Sequence, residues 1–278
     1  MKDGKIKIAV WNIYGPTHGT RSPASAEKIK SFQEKVNPDI AFYLEAPDKN
    51  TAPIPAEKIN NDWDNAFWSP SEEGNPRGIL AVKYKSESNE NLSIEEIKLK
   101  EDDPKNKKGR TALGIKISLG SNKILRILGV WTSPDSSSKS QSAYFNTLSD
   151  ILDKYKTHSD FFDDQAGYDV LRIVVGDTNV NLSACAQNEK QNNQTDNCKT
   201  FREKIEALAG RSEYGLQLCD KPGLQENTLL KGDLYYRCDL LMSSDNGKIL
   251  SPSLGNFGYS DGFKSDHRPI IFEVSVSD

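Results

Sequence analysis

"VLRIVVGDTN", Val170–Asn179, is a run of branched aliphatic residues that stops abruptly at Gly-Asp-x-Asn. A continuous apolar run of this length fits a strand buried on both faces, as in the sheets of layered α/β folds. Taken alone, Asp177 and Asn179 make an ordinary turn. The same grammar recurs along the chain. Asn12 closes "IAVWN", Glu45 closes "IAFYLE", Asp239 interrupts "YYRCDLLM", and Asp266 with His267 opens "SDHRPIIFEV". Polar groups at the margin of buried strands are costly without partners, so their repetition points to one cluster at converging strand ends.

Outward from that strand, the periodicity predicts strands at Lys5–Asn12, Ile40–Glu45, Gly78–Tyr84, Leu92–Leu99, Thr111–Ser118 and Lys123–Trp131. The segments "YYRCDLLMSS" and "HRPIIFEVSV" supply late strands. A first helix is expected with Ser22 as N-cap and Pro23 at its first position, its apolar face carrying Ile29, Phe32 and Val36. A second covers Ser140–Tyr155, where Tyr144, Leu148, Ile151, Leu152 and Tyr155 form one core-facing stripe. A polar loop at Asn188–Asn197 precedes a short helix near Thr200–Ala209. Hairpin-rich segments between helices predict a single domain over residues 1–278. Its architecture is a four-layer α/β sandwich, two packed mixed sheets flanked by helices.

A net charge of −4 argues against non-specific nucleic-acid binding driven by bulk charge. It leaves open an enzyme that holds metal with carboxylates and meets a polyanion at one local basic edge. No run of about 18 apolar residues is present, so no membrane span is expected. The start "MKDGKIKIAVWN" lacks a signal-peptide core, which gives a cytoplasmic monomer as the expectation. A secreted or periplasmic location is the alternative if a leader was removed and the cysteines pair. Cys185, Cys198, Cys219 and Cys238 show no C-x-x-C spacing, which argues against zinc; their even number allows either free thiols or two disulfides.

Carboxylates, carboxamides and one histidine make a hard-oxygen metal site with an acid/base residue beside it, suited to Mg²⁺ or Mn²⁺. From "IAVWNI" through "DIAFYLE", "VVGDTN" and "YRCDLL" to "SDHRPI", the chain resembles the endonuclease/exonuclease/phosphatase superfamily, which is deoxyribonuclease I-like. The resemblance implies the same four-layer sandwich. It makes Glu45 the principal metal ligand, with Asn12 and Asp266 nearby. Asp177 would orient or deprotonate the attacking water, and Asn179 would position phosphate or water. His267, held by Asp239, would donate to the phosphoryl oxygen. The implied activity is a metal-dependent phosphodiesterase, in first place a nuclease on DNA or RNA. The alternatives are action on a phosphoinositide, sphingolipid or small phosphoester, or a binding module that lost turnover.

The pattern has one gap. Many relatives carry a histidine where "LGVWTSPD" places Trp131, and Pro76 falls where its acidic partner would stand. An indole transfers no proton at neutral pH, so Trp131 either binds substrate by stacking or closes the wall of the site. Arg110, after the basic residues Lys105, Lys107 and Lys108, resembles a phosphate-contacting arginine, and Arg77 in "NPRGILAV" is a weaker candidate. His18 is a candidate stand-in proton donor; His158 has no motif around it. Resemblance to secreted relatives also allows a Cys185–Cys238 bridge. An exposed apolar rim of Trp131 and Trp68 would favour a lipid substrate.

Overall fold

Alternation in "KIKIAVWN" gives the first strand its two buried faces, and the same logic sets most of the others. The computed structural model describes residues 4–17, 20–23, 26–47, 63–72, 75–84, 92–99, 110–120, 122–132, 141–182, 195–224, 228–231, 234–255 and 265–276. In chain order the elements begin with β1 (Lys5–Asn12), β2 (Tyr14–Thr17), β3 (Thr20–Pro23), α1 (Ala26–Val36) and β4 (Ile40–Pro47). Next come β5 (Trp63–Glu72), β6 (Asn75–Tyr84), β7 (Ser93–Ile97), β8 (Arg110–Ser118), β9 (Lys123–Thr132), α2 (Gln141–His158) and β10 (Asp169–Asp177). The chain continues with α3 (Thr195–Ala209), β11 (Gln217–Leu218), β12 (Leu229–Lys231), β13 (Leu234–Tyr236), β14 (Asp239–Ser243), β15 (Ile249–Leu254) and β16 (Ile270–Ser275).

Twelve of the strands form two six-stranded sheets, ordered β15-β16-β1-β4-β6-β5 and β11-β14-β10-β9-β8-β7; β2-β3 and β12-β13 are separate hairpins. Both sheets are mixed: β1 runs parallel to β4 and β9 parallel to β10, while β16 and β14 pair antiparallel beside them. Three apolar layers hold the four structural layers together. Ile8, Val10, Phe42 and Leu44 of one sheet meet Leu113, Ile127, Ile173 and Val175 of the other. Behind the first sheet, Ala9, Trp11 and Tyr43 pack on Ile29 and Phe32 of α1. Behind the second, Leu128, Val130 and Val174 pack on Leu148, Ile151 and Leu152 of α2 and on Ile205 and Leu208 of α3. Sheet contact is close at Gly129, where a Cβ would fall 2.5 Å from the Phe42 ring. This is the four-layer sandwich expected from the sequence.

Local differences have local causes. Thr20–Pro23 is a strand paired with Tyr14–Thr17, so Ser22 and Pro23 belong to a hairpin and not to a helix start. Helix α1 begins at Ala26. Residues 195–197, read as loop, belong to α3. The α2 stripe faces the core as expected, with Leu148, Ile151, Leu152 and Tyr155 buried. Among the described residues, no helix is long and apolar enough to cross a membrane.

A charged staple fixes the segment that leads into β14. Arg237 is buried, and its Nη1 donates to Asp220 Oδ1 at 2.7 Å. Arg202 of α3 donates to the other oxygen of Asp220. Burial opposes ionisation of Asp220, but the two guanidinium hydrogen bonds outweigh it and lower its pKa. A depressed carboxyl contributes stability above the unfolded-state pKa and loses it as pH falls through the folded value. Asp220→Asn should therefore cost roughly 2–4 kcal/mol at neutral pH, less than a fully buried pair because Asp220 is partly exposed. Urea unfolding of both proteins checks this: the gap should narrow as pH falls below the ordinary carboxyl range, and a pH-independent gap would contradict the ionic origin.

Candidate active site

Strand register assembles the site. Asp177, the last residue of β10, lies beside Trp131 of β9 on one side and Asp239 of β14 on the other. Gly176 makes that strand end possible. Its φ is 148°, and a Cβ there would sit 2.0 Å from the Val130 carbonyl oxygen. Beyond the strand, Asn179 takes a left-handed φ of 53°, and its N–H donates to Asp177 Oδ1 at 2.8 Å. Its side-chain Nδ2 donates to the Thr132 carbonyl at 3.0 Å, tying the ends of β9 and β10 together.

In the other sheet, Glu45 sits at a register shift between Leu44 and Ala46, with φ at 51°. A bulge of this kind turns a side chain out of the regular alternation. Here it brings the Glu45 carboxylate to Asn12, at the end of β1. Asn12 Nδ2 donates to Glu45 Oε1 at 3.0 Å and to Asp177 Oδ2 at 2.9 Å, so one carboxamide bridges the two sheets. Its Oδ1 accepts the Tyr14 N–H, which fixes the orientation of the amide.

His267 closes the gap from the other side. Its Nδ1 donates to Asp239 Oδ2 at 2.9 Å, while Nε2 faces Asp177 Oδ2 at 3.6 Å and Asp266 Oδ1 at 3.8 Å. The segment is pinned by Ser265, whose hydroxyl donates to the Asn12 carbonyl and accepts the His267 N–H. Trp11 Nε1 donates to the His267 carbonyl at 3.0 Å. Thr228 Oγ1 accepts the N–H groups of Cys238 and Asp239, 3.1 Å each, and so sets the start of β14.

Burial and charge act together here. Burial opposes a charged His267, but Asp239 and Asp177 outweigh it and push the pKa up to about 10, so the ring is an imidazolium at neutral pH. For Asp177, burial dominates; despite the relief from His267, with Asp239 and Glu45 adding repulsion, the carboxyl rises to about 7. Asp177 is thus poised between base and acid near neutrality. Burial and the neighbouring Asp239 and Asp177 raise the Cys238 thiol far above its ordinary value.

Asn12, Glu45, Asp177, Asn179, Asp239, Asp266 and His267 all meet at this junction of the sheets. Arg110 opens β8, opposite Thr132, but its side chain lies outside the described residues, as do Lys105, Lys107, Lys108, His18 and Cys185. Arg77 is the residue that the sequence undervalued. Its Nη1 donates to Glu45 Oε2 at 2.7 Å, and its guanidinium lies 4.5 Å from the Tyr14 ring centroid and 6.0 Å from that of Trp131. The available signal was the pattern itself, a charge at the edge of the apolar run "RGILAV".

Trp131 is only 5% exposed and belongs to the core between the sheets, and Trp68 is half-buried on the α1 side of its own sheet. The two do not form an exposed apolar rim, and the lipid reading loses that support. Cys219 and Cys238 are free, buried thiols among the described residues, and Cys185, the other half of the expected bridge, lies outside them.

No family model and no curated protein sequence matches the chain. Solved structures do. Truncated TDP2 from Caenorhabditis elegans aligns over 98% of both chains, with 16% identity and a TM-score of 0.62. An AP endonuclease from Archaeoglobus fulgidus aligns over 96% of this chain and 98% of its own, with 13% identity and a TM-score of 0.60. An endonuclease/exonuclease/phosphatase from Beutenbergia cavernae aligns over 98% and 71%, with 14% identity and a TM-score of 0.59. The chain therefore has the deoxyribonuclease I-like fold of the endonuclease/exonuclease/phosphatase superfamily.

Proposed function

We propose that the protein is a divalent-metal-dependent phosphoric-ester hydrolase, and specifically a phosphodiesterase acting on nucleic acid. The observation that carries this reading is the unbroken contact path Glu45–Asn12–Asp177–His267–Asp239, which spans both sheets. Structural similarity to an AP endonuclease and to the endonuclease domain of a retrotransposon supports the choice of substrate class.

The donor set fits a hard cation. With Asp177 ionised, Glu45, Asp177, Asp239 and Asp266 set four negative charges against the guanidinium of Arg77 and the imidazolium of His267. The excess of two is what a divalent ion neutralises. Glu45, Asn12 and Asp266 would hold Mg²⁺ or Mn²⁺. The ion would supply charge stabilisation at a phosphate oxygen.

The remaining chemistry belongs to the side chains. Asp177 accepts a proton from the attacking water, a role for which its raised pKa is suited. Asn179 holds Asp177 through its backbone N–H and locks the turn through Thr132. His267, kept cationic and oriented by Asp239, donates from Nε2 to the phosphoryl oxygen. Arg77 offers a guanidinium beside Glu45, where a substrate phosphate would approach. Trp131 supplies no proton, and its ring backs Arg77.

Turnover of single-stranded, duplex and abasic DNA, of RNA and of a phosphoinositide panel, with Mg²⁺ or Mn²⁺, tests the proposal. Metal-dependent cleavage of a nucleic acid is expected. Equal background from wild type and His267→Ala on every substrate would refute it.

Burial also separates the two readings of Trp131. As a wall between the sheets, its truncation to alanine should lower unfolding stability by about 3–5 kcal/mol. As a stacking platform it would leave stability nearly unchanged and raise KM. Urea unfolding beside steady-state kinetics distinguishes them, and the first outcome is expected.

A further inference from the structure

Behind the His267–Asp239 pair lies a thiol that the proposed hydrolysis does not use. Cys238 Sγ is 3.8 Å from His267 Nδ1 and 3.5 Å from Asp239 Oδ2, while Nδ1 and Oδ2 are 2.9 Å apart. A triangle of these sides has its three corners about 2 Å from a common centre, close to zinc–nitrogen, zinc–oxygen and zinc–sulfur bond lengths. Asp177 completes the group: one donor atom from each of Asp177, Cys238, Asp239 and His267 lies within 4.8 Å of the others.

The geometry points to a soft-metal site formed by Cys238, Asp239 and His267, which takes Zn²⁺ or Co²⁺ in preference to Mg²⁺ and thereby shuts off the catalytic pair. The fold assembles from residues 238, 239 and 267 a donor set that no C-x-x-C spacing announces. Sulfur is the discriminating ligand, because a thiolate selects borderline and soft cations over hard ones. Asp177 or a water would fill the fourth position of a tetrahedron.

Proton accounting follows from the hydrogen bonds. Zinc replaces the proton between Nδ1 and Asp239, and it expels the thiol proton of Cys238, so one ion enters and two protons leave. His267 then becomes a neutral ligand that retains its Nε2–H. Asp177 Oδ2 and Asp266 Oδ1 already face that atom at 3.6 and 3.8 Å, the carboxylate arrangement that commonly supports a metal-bound histidine. The raised thiol pKa keeps Cys238 inert as a free nucleophile, whereas a coordinated cation deprotonates it. Every donor residue is buried, so entry requires local opening, and binding should be slow.

Metal binding does not depend on the hydrolase reading; inhibition does. The experiment keeps the two apart. Metal-stripped protein is titrated with Co²⁺ and followed in the near ultraviolet for thiolate-to-cobalt charge transfer. One equivalent should produce the band, Zn²⁺ should abolish it, and excess Mg²⁺ should not. The band should be lost in Cys238→Ala and kept in Cys219→Ser. X-ray absorption at the zinc edge of the wild-type protein gives the same answer without any variant, as one sulfur ligand among nitrogen and oxygen donors. Absence of sulfur ligation, or a band that survives in Cys238→Ala, overturns the site. Where the protein turns over a phosphodiester, zinc should inhibit progressively over time. The zinc concentration that halves each protein's own rate should rise at least about tenfold in Cys238→Ala. An unchanged value would overturn the inhibitory role while leaving binding decided by the spectra.

Discussion

His267→Ala should lower kcat for metal-supported phosphodiester hydrolysis by about 10²–10⁴-fold. The ring is the cation enclosed by Asp177, Asp239 and Asp266, so its removal eliminates the donor to the phosphoryl oxygen and the counter-charge together. The second loss also bears on stability. Three buried carboxylates would be left without their imidazolium, at a cost of several kcal/mol. His267→Gln separates the effects, because a neutral amide can still donate to Asp239 but carries no charge. It should fold better than His267→Ala and remain nearly as inactive. Turnover at saturating substrate and metal, normalised to the folded fraction by circular dichroism, is the measurement. A His267→Gln rate within threefold of wild type, on the order of 0.6 kcal/mol, would remove His267 from the reaction.

The carboxylate row was legible because strand register is a nearly one-dimensional property. "VLRIVVGDTN" announces a strand buried on both faces and marks its end with glycine. Once β9, β10 and β14 pair, Trp131, Asp177 and Asp239 must stand in one row. Glu45 was visible as a strand-end acid, but its aim was not. That depends on the bulge between Leu44 and Ala46 and on a left-handed φ, which no periodicity encodes. Arg77 escaped for the same reason: its target is the carboxylate that the bulge redirects.

Other omissions have different physics. β5, with its Pro70 and scattered polar residues, carries no periodicity that marks a strand, yet it is an edge strand held by a long antiparallel pairing with β6. Edge positions tolerate proline because one side of the backbone needs no partner. Ser22 and Pro23 satisfy the local rules of a helix start, but the β2–β3 pairing claims them first. Cys238 looked like a residue whose only question was a disulfide. Asp239 is its neighbour in sequence, but its contact with His267 joins residues 29 apart that the fold brings together.

Asp177→Asn should reduce turnover by about 10²–10⁴-fold while changing unfolding free energy by no more than about 1 kcal/mol. The kinetic half follows from the role of base: an amide accepts no proton at neutral pH. The thermodynamic half is a balance of two opposed terms. Oδ1 of Asp177 accepts the Asn179 N–H and Oδ2 accepts Asn12 Nδ2, and an amide has one acceptor oxygen for those two donors. One donor is thereby left facing an amine, which costs about 1–3 kcal/mol. Against this, the substitution deletes a buried negative charge that faces Asp239 and Glu45, whose repulsion already helps raise the carboxyl to about 7. A group held in the folded state at a pKa above its unfolded value weakens the fold as pH rises between the two, so this relief grows up to about pH 7 and levels off above it. Urea unfolding should show near-cancellation at neutral pH, with Asp177→Asn losing ground to wild type as pH falls from there toward the ordinary carboxyl range. A structural acid would behave otherwise: turnover would fall only as far as the folded fraction falls, and the variant would lose stability at every pH. The divergence of rate from stability distinguishes a residue that does chemistry from one that holds strands together.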